Sequence, residues 1–226
     1  MTPPRIIVVV PARNEVDALP RCLASLRVAR DRVDTPVRLV VVLDDPTDGS
    51  EAAAQTADDV VTVRCRNVGA ARAAGFARTG GIDPAALFVS TDADCEVEPT
   101  WLQRHLAHAH DGARAVCGTV AVRDWSRLGP RTRARFEAGY RTHHGHRHIH
   151  GANLAVRAGD YWDSGGFAAV PTGEDVELIH RLQQRGVPVT WAGDLAVWTA
   201  PRLHGRAPRG FADHLRRLHD PEVPFR

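Results

Sequence analysis

The sequence predicts an α/β domain with a mainly parallel sheet of doubly wound type, flanked by helices. Strand-like and helix-like segments alternate through the first half of the chain, with short connections between them. The strand-like runs are β-branched and uninterrupted, as expected of strands that are covered on both faces. The composition of the 226 residues, 43% hydrophobic and 25% charged, is ordinary for a soluble globular protein. We therefore expect a single domain over residues 1–226.

Four strands and three helices are expected before residue 100. The strands cover residues 6–10, 37–43, 60–63 and 87–90, and the helices cover residues 18–26, 48–56 and 70–77. Beyond residue 100 the pattern is less regular. The helices expected there cover residues 101–110 and 173–184, and the strands cover residues 115–122, 187–191 and 196–198. Residues 123–150 are rich in arginine and histidine and show little periodicity.

The composition argues against several classes of protein. No apolar stretch approaches the ~20 residues that cross a bilayer, so no integral membrane segment is expected. The first five residues lead directly into a strand-like run, which leaves no room for a signal peptide and predicts a cytoplasmic protein. The net charge of +2 is too balanced to indicate nucleic-acid binding through a whole-protein field. The four cysteines form no C-x-x-C pair, so neither a zinc ribbon nor a dithiol redox site is indicated.

The most informative motif is Thr91-Asp92-Ala93-Asp94, which follows the apolar run 85–89. Its two carboxylates lie just past the carboxyl end of a strand, where open α/β sheets bind their ligands. Carboxylate oxygens suit Mg²⁺ and Mn²⁺, and such a cation can neutralise a diphosphate. The structural alternative is a turn with helix-capping aspartates.

Small and polar residues also follow the first three strands. The candidate binding residues there are Pro11, Ala12, Arg13, Glu15, Asp44, Asn67, Gly69 and Arg72. Asp44 ends an apolar strand and could accept hydrogen bonds from a base or a ribose hydroxyl. Gly69 allows close backbone approach, and the N-terminus of the helix beside it favours an anion. Ordinary turn, cap and packing roles are the alternatives at these strand ends.

Glu174 and Asp175 begin a helix, and helical geometry separates the two acids. Asp175 falls on the apolar face with Ile179 and Leu182, whereas Glu174 falls on the other side. We therefore expect Glu174 to be solvated or tied to a neighbouring group, and Asp175 to point inward. An inward carboxylate without a local partner suits a general base. The alternative is that both acids only complement the helix dipole.

Histidines crowd into residues 143–150. Their alternating spacing lacks the tetrahedral ligand arrangement of zinc motifs. We interpret the cluster as a polar loop beside an anionic or hydroxylated substrate.

Taken together, these motifs resemble those of family 2 glycosyltransferases of the GT-A fold. The matching segments, in order, are residues 8–15, 43–50, 67–72, 91–94, 150–157 and 173–175. Each segment is weak alone, but six in the family's order and spacing make a strong match. The resemblance implies a nucleotide-sugar-binding half over residues 1–98 and an acceptor-binding half over residues 99–226.

The resemblance also implies a role for the strand-end acids. A nucleoside-diphosphate sugar would bind across the first four strand ends, with Asp44 near the base and Asp92 near the ribose. Asp94 would hold Mg²⁺ or Mn²⁺. Asp175 would be the catalytic base, in agreement with its place on the helix.

Two further segments complete the implied site. The loop formed by Gly151, Ala152 and Asn153 would lie, with Glu174, beside the sugar of the donor and the acceptor. His204 follows the last strands and would complete the metal site.

The implied reaction is one metal-dependent, inverting transfer to a hydroxyl acceptor, because the chain lacks the membrane helices of processive synthases. A retaining GT-A enzyme and a non-catalytic nucleotide-sugar-binding module are the alternatives. The sequence leaves open the sugar, the base, the acceptor and the oligomeric state.

Overall fold

A computed structural model describes residues 6–80, 83–203, 205 and 210–220 of the chain. Its strands are β1 (Ile6–Ala12), β2 (Val37–Asp44), β3 (Asp59–Val63), β4 (Leu87–Ser90), β5 (Cys95–Val97), β6 (Ala115–Val122), β7 (Leu154–Arg157) and β8 (Val189–Thr199). Its helices are α1 (Leu19–Arg30), α2 (Ser50–Ala54), α3 (Val68–Ala77), α4 (Trp101–His110), α5 (Gly129–Gly139), α6 (Ala158–Asp163), α7 (Glu174–Gln184) and α8 (Phe211–His219). None of the helices in these ranges is long and apolar enough to cross a bilayer.

The strands form one sheet in the order β3-β2-β1-β4-β7-β6-β8-β5. The first four are parallel to one another, as the sequence predicts for the first half. Strand β7 pairs antiparallel with both β4 and β6, and β8 runs parallel to β6 but antiparallel to β5. The parallel half therefore continues into a mixed half, and the whole is the single α/β sheet expected.

Helices cover both faces of the sheet, which explains the uninterrupted apolar strands. Ile6, Val8 and Val10 of β1 pack in the cluster that contains α1 and α4. Ile7 and Val9 pack on the opposite face, in the cluster that contains α3, α6 and α7. Because successive side chains of a strand point to opposite faces, every position of β1 except Pro11 is buried.

Two of the expectations for the second half are wrong in detail. The strands expected over residues 187–191 and 196–198 are one strand, β8. Trp191 pairs with Cys117 and Ala196 with Thr119, so β8 advances by five residues where β6 advances by two. Such a bulge interrupts the apolar pattern without ending the strand.

Residues 123–150 also contain a helix, α5, where the sequence shows little periodicity. Its buried positions are few: Leu128, just before the helix, then Thr132 and Phe136 at intervals of four, followed by Tyr140. These residues, Thr132 apart, form a third apolar cluster with Leu215 of α8. The stripe is narrow and is flanked by arginines, which hides it in the sequence. Helices α6 and α8 and strands β5 and β7 are further elements that the sequence reasoning did not find.

Candidate active site

A cavity of about 800 Å³ opens at the edge of the sheet where the parallel strands β1, β2 and β4 end. The predicted site residues that line it are Pro11, Ala12, Arg13, Glu15, Asp44, Asn67, Arg72, Asp92, Ala93, Asp94, Gly151, Ala152, Glu174 and Asp175. The turn at 151–153, the start of α7 and the start of α8 close its other sides. The strand order thus brings together motifs as far apart in the chain as Pro11 and Asp175.

Two of the predicted site residues that the structure describes do not share this position. Gly69 and Asn153 are absent from the described residues that line the cavity. Gly69 lies against the carbonyl oxygen of Ala168, so a side chain there would clash with the backbone. Asn153 is fully buried and is considered separately below. His204 lies outside the described residues.

Asp44 organises the loop that follows β3. Its Oδ1 accepts the backbone N–H groups of Cys65 and Arg66, at 2.8 and 2.9 Å, and its Oδ2 accepts that of Asn67 at 2.9 Å. A carboxylate has about four acceptor positions, so three of them are used by the loop. The side chain of Asn67 in turn caps α3 by accepting the N–H of Ala70. Asp44 therefore shapes the wall of the cavity, and a contact with a base stays a prediction.

Arg72 is a buried cation held between two acids. Its Nη2 lies 2.5 Å from Oδ1 of Asp92, and its Nη1 donates to Oε1 of Glu174. The guanidinium also lies over the ring of Phe167, 5.4 Å from the centroid. Of the two alternatives that the sequence left for Glu174, the structure shows a tie to a neighbouring group and excludes solvation. Burial raises the pKa of Glu174, and the charge of Arg72 opposes that rise.

Asp175 is half-buried and lies at the surface of the cavity. Its Oδ2 accepts the N–H of Gly151 at 2.7 Å, and its Oδ1 accepts the N–H of Val176 at 2.8 Å. Ile179 lies one turn later and is buried in the core. The carboxylate is therefore held in one orientation by backbone donors while it faces the cavity.

Asp94 shares its surroundings with an arginine and a second acid. Arg202 pairs with Glu15 through two hydrogen bonds, of 2.8 and 2.5 Å. Its Nε lies 3.4 Å from Oδ2 of Asp94. Burial raises the pKa of Asp94 to about 6; the charge of Asp92 adds to the rise and that of Arg202 opposes it.

The chemistry of the donor set fits Mg²⁺ or Mn²⁺ held partly by substrate. Within the ranges that the structure describes, no three His, Cys, Asp or Glu side chains form a cluster able to enclose a metal ion. Asp92 and Asp94 supply carboxylate oxygens at the cavity wall. Mg²⁺ is usually bound through one or two carboxylates plus substrate phosphates and water, rather than by an all-protein cage. Two carboxylates in a cavity of this size match that mode of binding.

Aromatic rings form the side of the cavity opposite the strand ends. We call this surface the aromatic wall; it consists of Tyr140, His148, His150, Phe211 and His214. Tyr140 stacks on His148 with centroids 4.0 Å apart. Its hydroxyl accepts the N–H of Val120 at 3.0 Å and lies 2.7 Å from Nε2 of His150.

The hydroxyl of Tyr140 and Nε2 of His150 share a hydrogen bond. Burial lowers the pKa of His150 to about 3, so its ring is neutral. Two residues of the histidine cluster, His148 and His150, line the cavity. Tyr140 and Phe211 were missed by the sequence reasoning, because α5 and α8 were not predicted. The four-residue spacing from Phe136 to Tyr140 was the available signal.

Comparison with known families decides the assignment. The family model described as "Glycosyl transferase family 2" matches residues 7–163, more than half of the chain. The chain belongs to glycosyltransferase family 2. The match includes the Asp-x-Asp motif and ends before the Glu174-Asp175 pair.

Solved structures show the fold of this glycosyltransferase. TarS residues 1–349 from S. aureus, in complex with UDP-GlcNAc, has a TM-score of 0.67 at 15% identity; 95% of this chain and 65% of that chain are covered. The mannosyltransferase PcManGT from Pyrobaculum calidifontis, in complex with GDP-Man and Mn²⁺, has a TM-score of 0.67 at 21% identity, with 90% and 59% covered. The chain thus spans about two thirds or less of these two neighbours. No curated protein matches the sequence. The family and the GT-A fold implied by the motifs are confirmed.

Proposed function

We propose that this family 2 glycosyltransferase moves a sugar from a nucleoside-diphosphate sugar to a hydroxyl acceptor, with inversion and with Asp175 as the base. The observation that carries the proposal is the shared cavity: Asp175, Asp92 and Asp94 all line it. The backbone-anchored carboxylate of Asp175 thus faces the same space as the strand-end acids. Residues 1–98 supply the strand ends for the sugar donor, and residues 99–226 supply the aromatic wall and the base.

The sugar donor enters at the strand ends in this proposal. Both solved neighbours bind nucleoside-diphosphate sugars, one a UDP-sugar and the other a GDP-sugar. Asp94 would hold Mg²⁺ or Mn²⁺, which would stabilise the charge that develops on a departing diphosphate, and Asp92 would lie near the ribose. The Mn²⁺ in the second neighbour supports a divalent ion here.

The chain's own residues supply the proton transfer. Asp175 takes the proton of the acceptor hydroxyl while that oxygen attacks the anomeric carbon. The new glycosidic bond forms as the bond from that carbon to the diphosphate breaks, and the nucleoside diphosphate leaves with the electron pair. Attack from the face opposite the leaving group inverts the anomeric carbon. The N–H of Gly151 keeps Asp175 turned towards the cavity throughout.

Substitution of Asp175 by asparagine tests the proposal. A thermal-shift screen of UDP and GDP with Mn²⁺ first shows which nucleotide the protein binds, because a ligand of the folded state raises the unfolding temperature. Turnover is then the release of that nucleotide from UDP-GlcNAc or GDP-mannose with a panel of hydroxyl acceptors. Asp175→Asn should lower kcat by about 10²-fold or more, the scale of a lost general base, and leave nucleotide affinity nearly unchanged.

An Asp→Asn change outside the cavity is the matched control. Asp163 at the end of α6 is largely exposed, so Asp163→Asn should keep wild-type turnover. Turnover that survives in Asp175→Asn would reject Asp175 as the base. The anomeric configuration of the product, read by NMR, separates inversion from retention. Absence of both nucleotide binding and turnover in the wild type would reject the enzyme itself. The expected location, the cytoplasm, stays a prediction from the sequence.

A further inference from the structure

Four segments of the chain converge on the guanidinium of Arg72. Its Nη1 bonds Glu174 at the start of α7, and its Nη2 bonds Asp92 after β4. Phe167 lies over its plane. Gly151 lies against the group from another side, because a Cβ at that residue would come within 2.6 Å of Cζ of Arg72. The side chain is 3% exposed, so the group is enclosed by protein rather than by solvent.

The guanidinium of Arg72 is engaged mainly by groups of the protein. Each Nη atom bonds a carboxylate, and Nε is buried without a hydrogen-bond partner. Removing one partner of a buried ion pair leaves an uncompensated charge, which is strongly unfavourable. A guanidinium has five N–H donors, so these two bonds do not use all of them. Contact with the nucleotide sugar, the role that the motif resemblance gives to Arg72, stays a prediction.

Arg72 contacts two residues beside Asp175, Glu174 and Gly151. Glu174 is the neighbour of Asp175 in α7, and the ion pair with Arg72 fixes the first turn of that helix. Gly151 donates its N–H to Oδ2 of Asp175 and packs on the guanidinium. Lys at position 72 would keep the charge but lose the planar fork that joins two carboxylates at once.

We propose that Arg72 is a positioning residue for the catalytic base, acting on Asp175 through Glu174 and Gly151. The inference rests on the proposed function and deepens it. The same guanidinium touches Asp92 on the sugar-donor side, so it ties the strand-end acids to the base. Arg72 orients the base, so its loss should lower kcat rather than weaken binding of the nucleotide.

Arg72→Lys and Glu174→Gln test the proposal with two readouts. We expect kcat to fall about ten-fold or more in each variant, because small misplacements of a reacting group cost up to ~10²-fold. The Kd for UDP or GDP with Mn²⁺, measured by calorimetry, should stay within about three-fold of wild type, since such a loss acts on the transition state. The double variant should lose little beyond the worse single variant, as expected when both residues act through one interaction.

Gly151→Ala and Arg114→Lys complete the design. A methyl group at residue 151 pushes on the guanidinium, so Gly151→Ala should reproduce the loss of kcat without a change in Kd. Arg114 donates two hydrogen bonds to the carboxylate of Asp160, and neither residue lines the cavity. Arg114→Lys should therefore keep wild-type kcat. If the role of Arg72 were only structural, Arg72→Lys and Arg114→Lys would lose kcat equally when each is assayed at the same interval below its own unfolding temperature.

The outcomes separate this inference from the proposed function. A raised Kd with unchanged kcat in Arg72→Lys would make Arg72 a ligand of the nucleotide and overturn the inference, while the enzyme assignment stands. Unchanged Kd and unchanged kcat would overturn it as well. A wild type that neither binds nucleotide nor turns over would instead reject the proposed function. Recovery of kcat in Arg72→Ala by added guanidinium, but not by methylammonium, would support the planar fork as the operative group.

Discussion

Nε of Arg202 lies 3.4 Å from Oδ2 of Asp94. The two Nη atoms of the same arginine are bonded to Glu15, which holds the guanidinium beside Asp94. A positive charge therefore occupies the surroundings of the carboxylate to which the proposed function assigns a divalent cation. A metal ion at Asp94 would compete with this arginine for the same negative charge.

Arg202→Gln should tighten Mn²⁺ binding when no nucleotide is present. Removing a unit charge about 4 Å from a ligand removes a repulsion of a few kcal/mol at most, so we expect roughly ten-fold lower Kd. Electron paramagnetic resonance of free Mn²⁺ during titration measures this. Arg133→Gln, on the exposed face of α5, is the matched control and should leave the Kd unchanged. Equal Kd values for Arg202→Gln and wild type would show that the guanidinium does not compete with the metal.

Asp94→Ala should abolish the dependence of nucleotide binding on metal. The change removes a charged oxygen ligand, and hard divalent cations depend on such ligands. Calorimetry of UDP and GDP with and without Mn²⁺ provides the comparison. A metal-dependent gain in affinity that persists in the variant would place the ion elsewhere.

The fold should lose stability as the pH falls from 7 to 5. Burial lowers the pKa values of His105 and His150 to about 3, from 6.5 in the unfolded chain. Between these two pKa values the unfolded state binds more protons than the folded state. The contribution of the two neutral rings to the free energy of unfolding is therefore complete above pH 6.5 and is lost towards pH 3. Each histidine should lower the free energy of unfolding by about 2 kcal/mol at pH 5, since one pKa unit corresponds to ~1.4 kcal/mol.

Urea denaturation at pH 7.5, 6 and 5 checks this expectation. His105→Leu should remove about half of the pH dependence that the two residues contribute, because linkage acts separately through each group. The exposed His180 offers the control His180→Gln, which should keep the full dependence. An unfolding free energy that is flat between pH 7.5 and 5 would contradict the prediction.

Asn153→Ala should unfold the protein more easily rather than weaken sugar recognition. The fully buried amide accepts the N–H of Trp101 at 3.0 Å and donates to the carbonyl oxygens of Thr119 and Leu195, at 2.8 and 3.1 Å. Losing it removes a partner from the N–H of Trp101 and the carbonyl oxygen of Thr119, at a cost of about 2–4 kcal/mol, while the carbonyl of Leu195 keeps the hydroxyl of Thr119. Thermal unfolding measures the loss. Gln103→Ala on the surface of α4 should change stability by less than ~0.5 kcal/mol.

A KM for the sugar donor that rises in Asn153→Ala, with unchanged stability, would restore the role that the motif resemblance gave to this residue. The structure instead gives the place at the cavity to its neighbours Gly151 and Ala152.

The sequence predicted the parallel half of the sheet well, because strands buried on both faces leave continuous apolar runs. It also predicted where the acids meet, because the ends of parallel strands share one edge of the sheet. It did not predict which side chains form ion pairs at that edge. Arg202 and Glu15 are separated by 187 residues, and Arg72 and Glu174 by 102. Such pairs depend on the final packing of loops, for which a single sequence carries no periodic signal.

The bonds that Asp44 makes to residues 65–67 use only backbone N–H groups. Every amino acid except proline supplies that group, so these three bonds do not depend on the side chains at positions 65 and 66. The thiol of Cys65 also bonds the carbonyl of Asn67, and the guanidinium of Arg66 bonds Asp45. Arg66 has a φ of 49°, a conformation that glycine and asparagine also accept readily. An enzyme lineage could therefore exchange these two side chains, and with them the chemistry of the rim where a base would lie, without rebuilding the loop. Variation at these two positions would then change the rim of the cavity while Asp44 keeps the same bonds to the backbone.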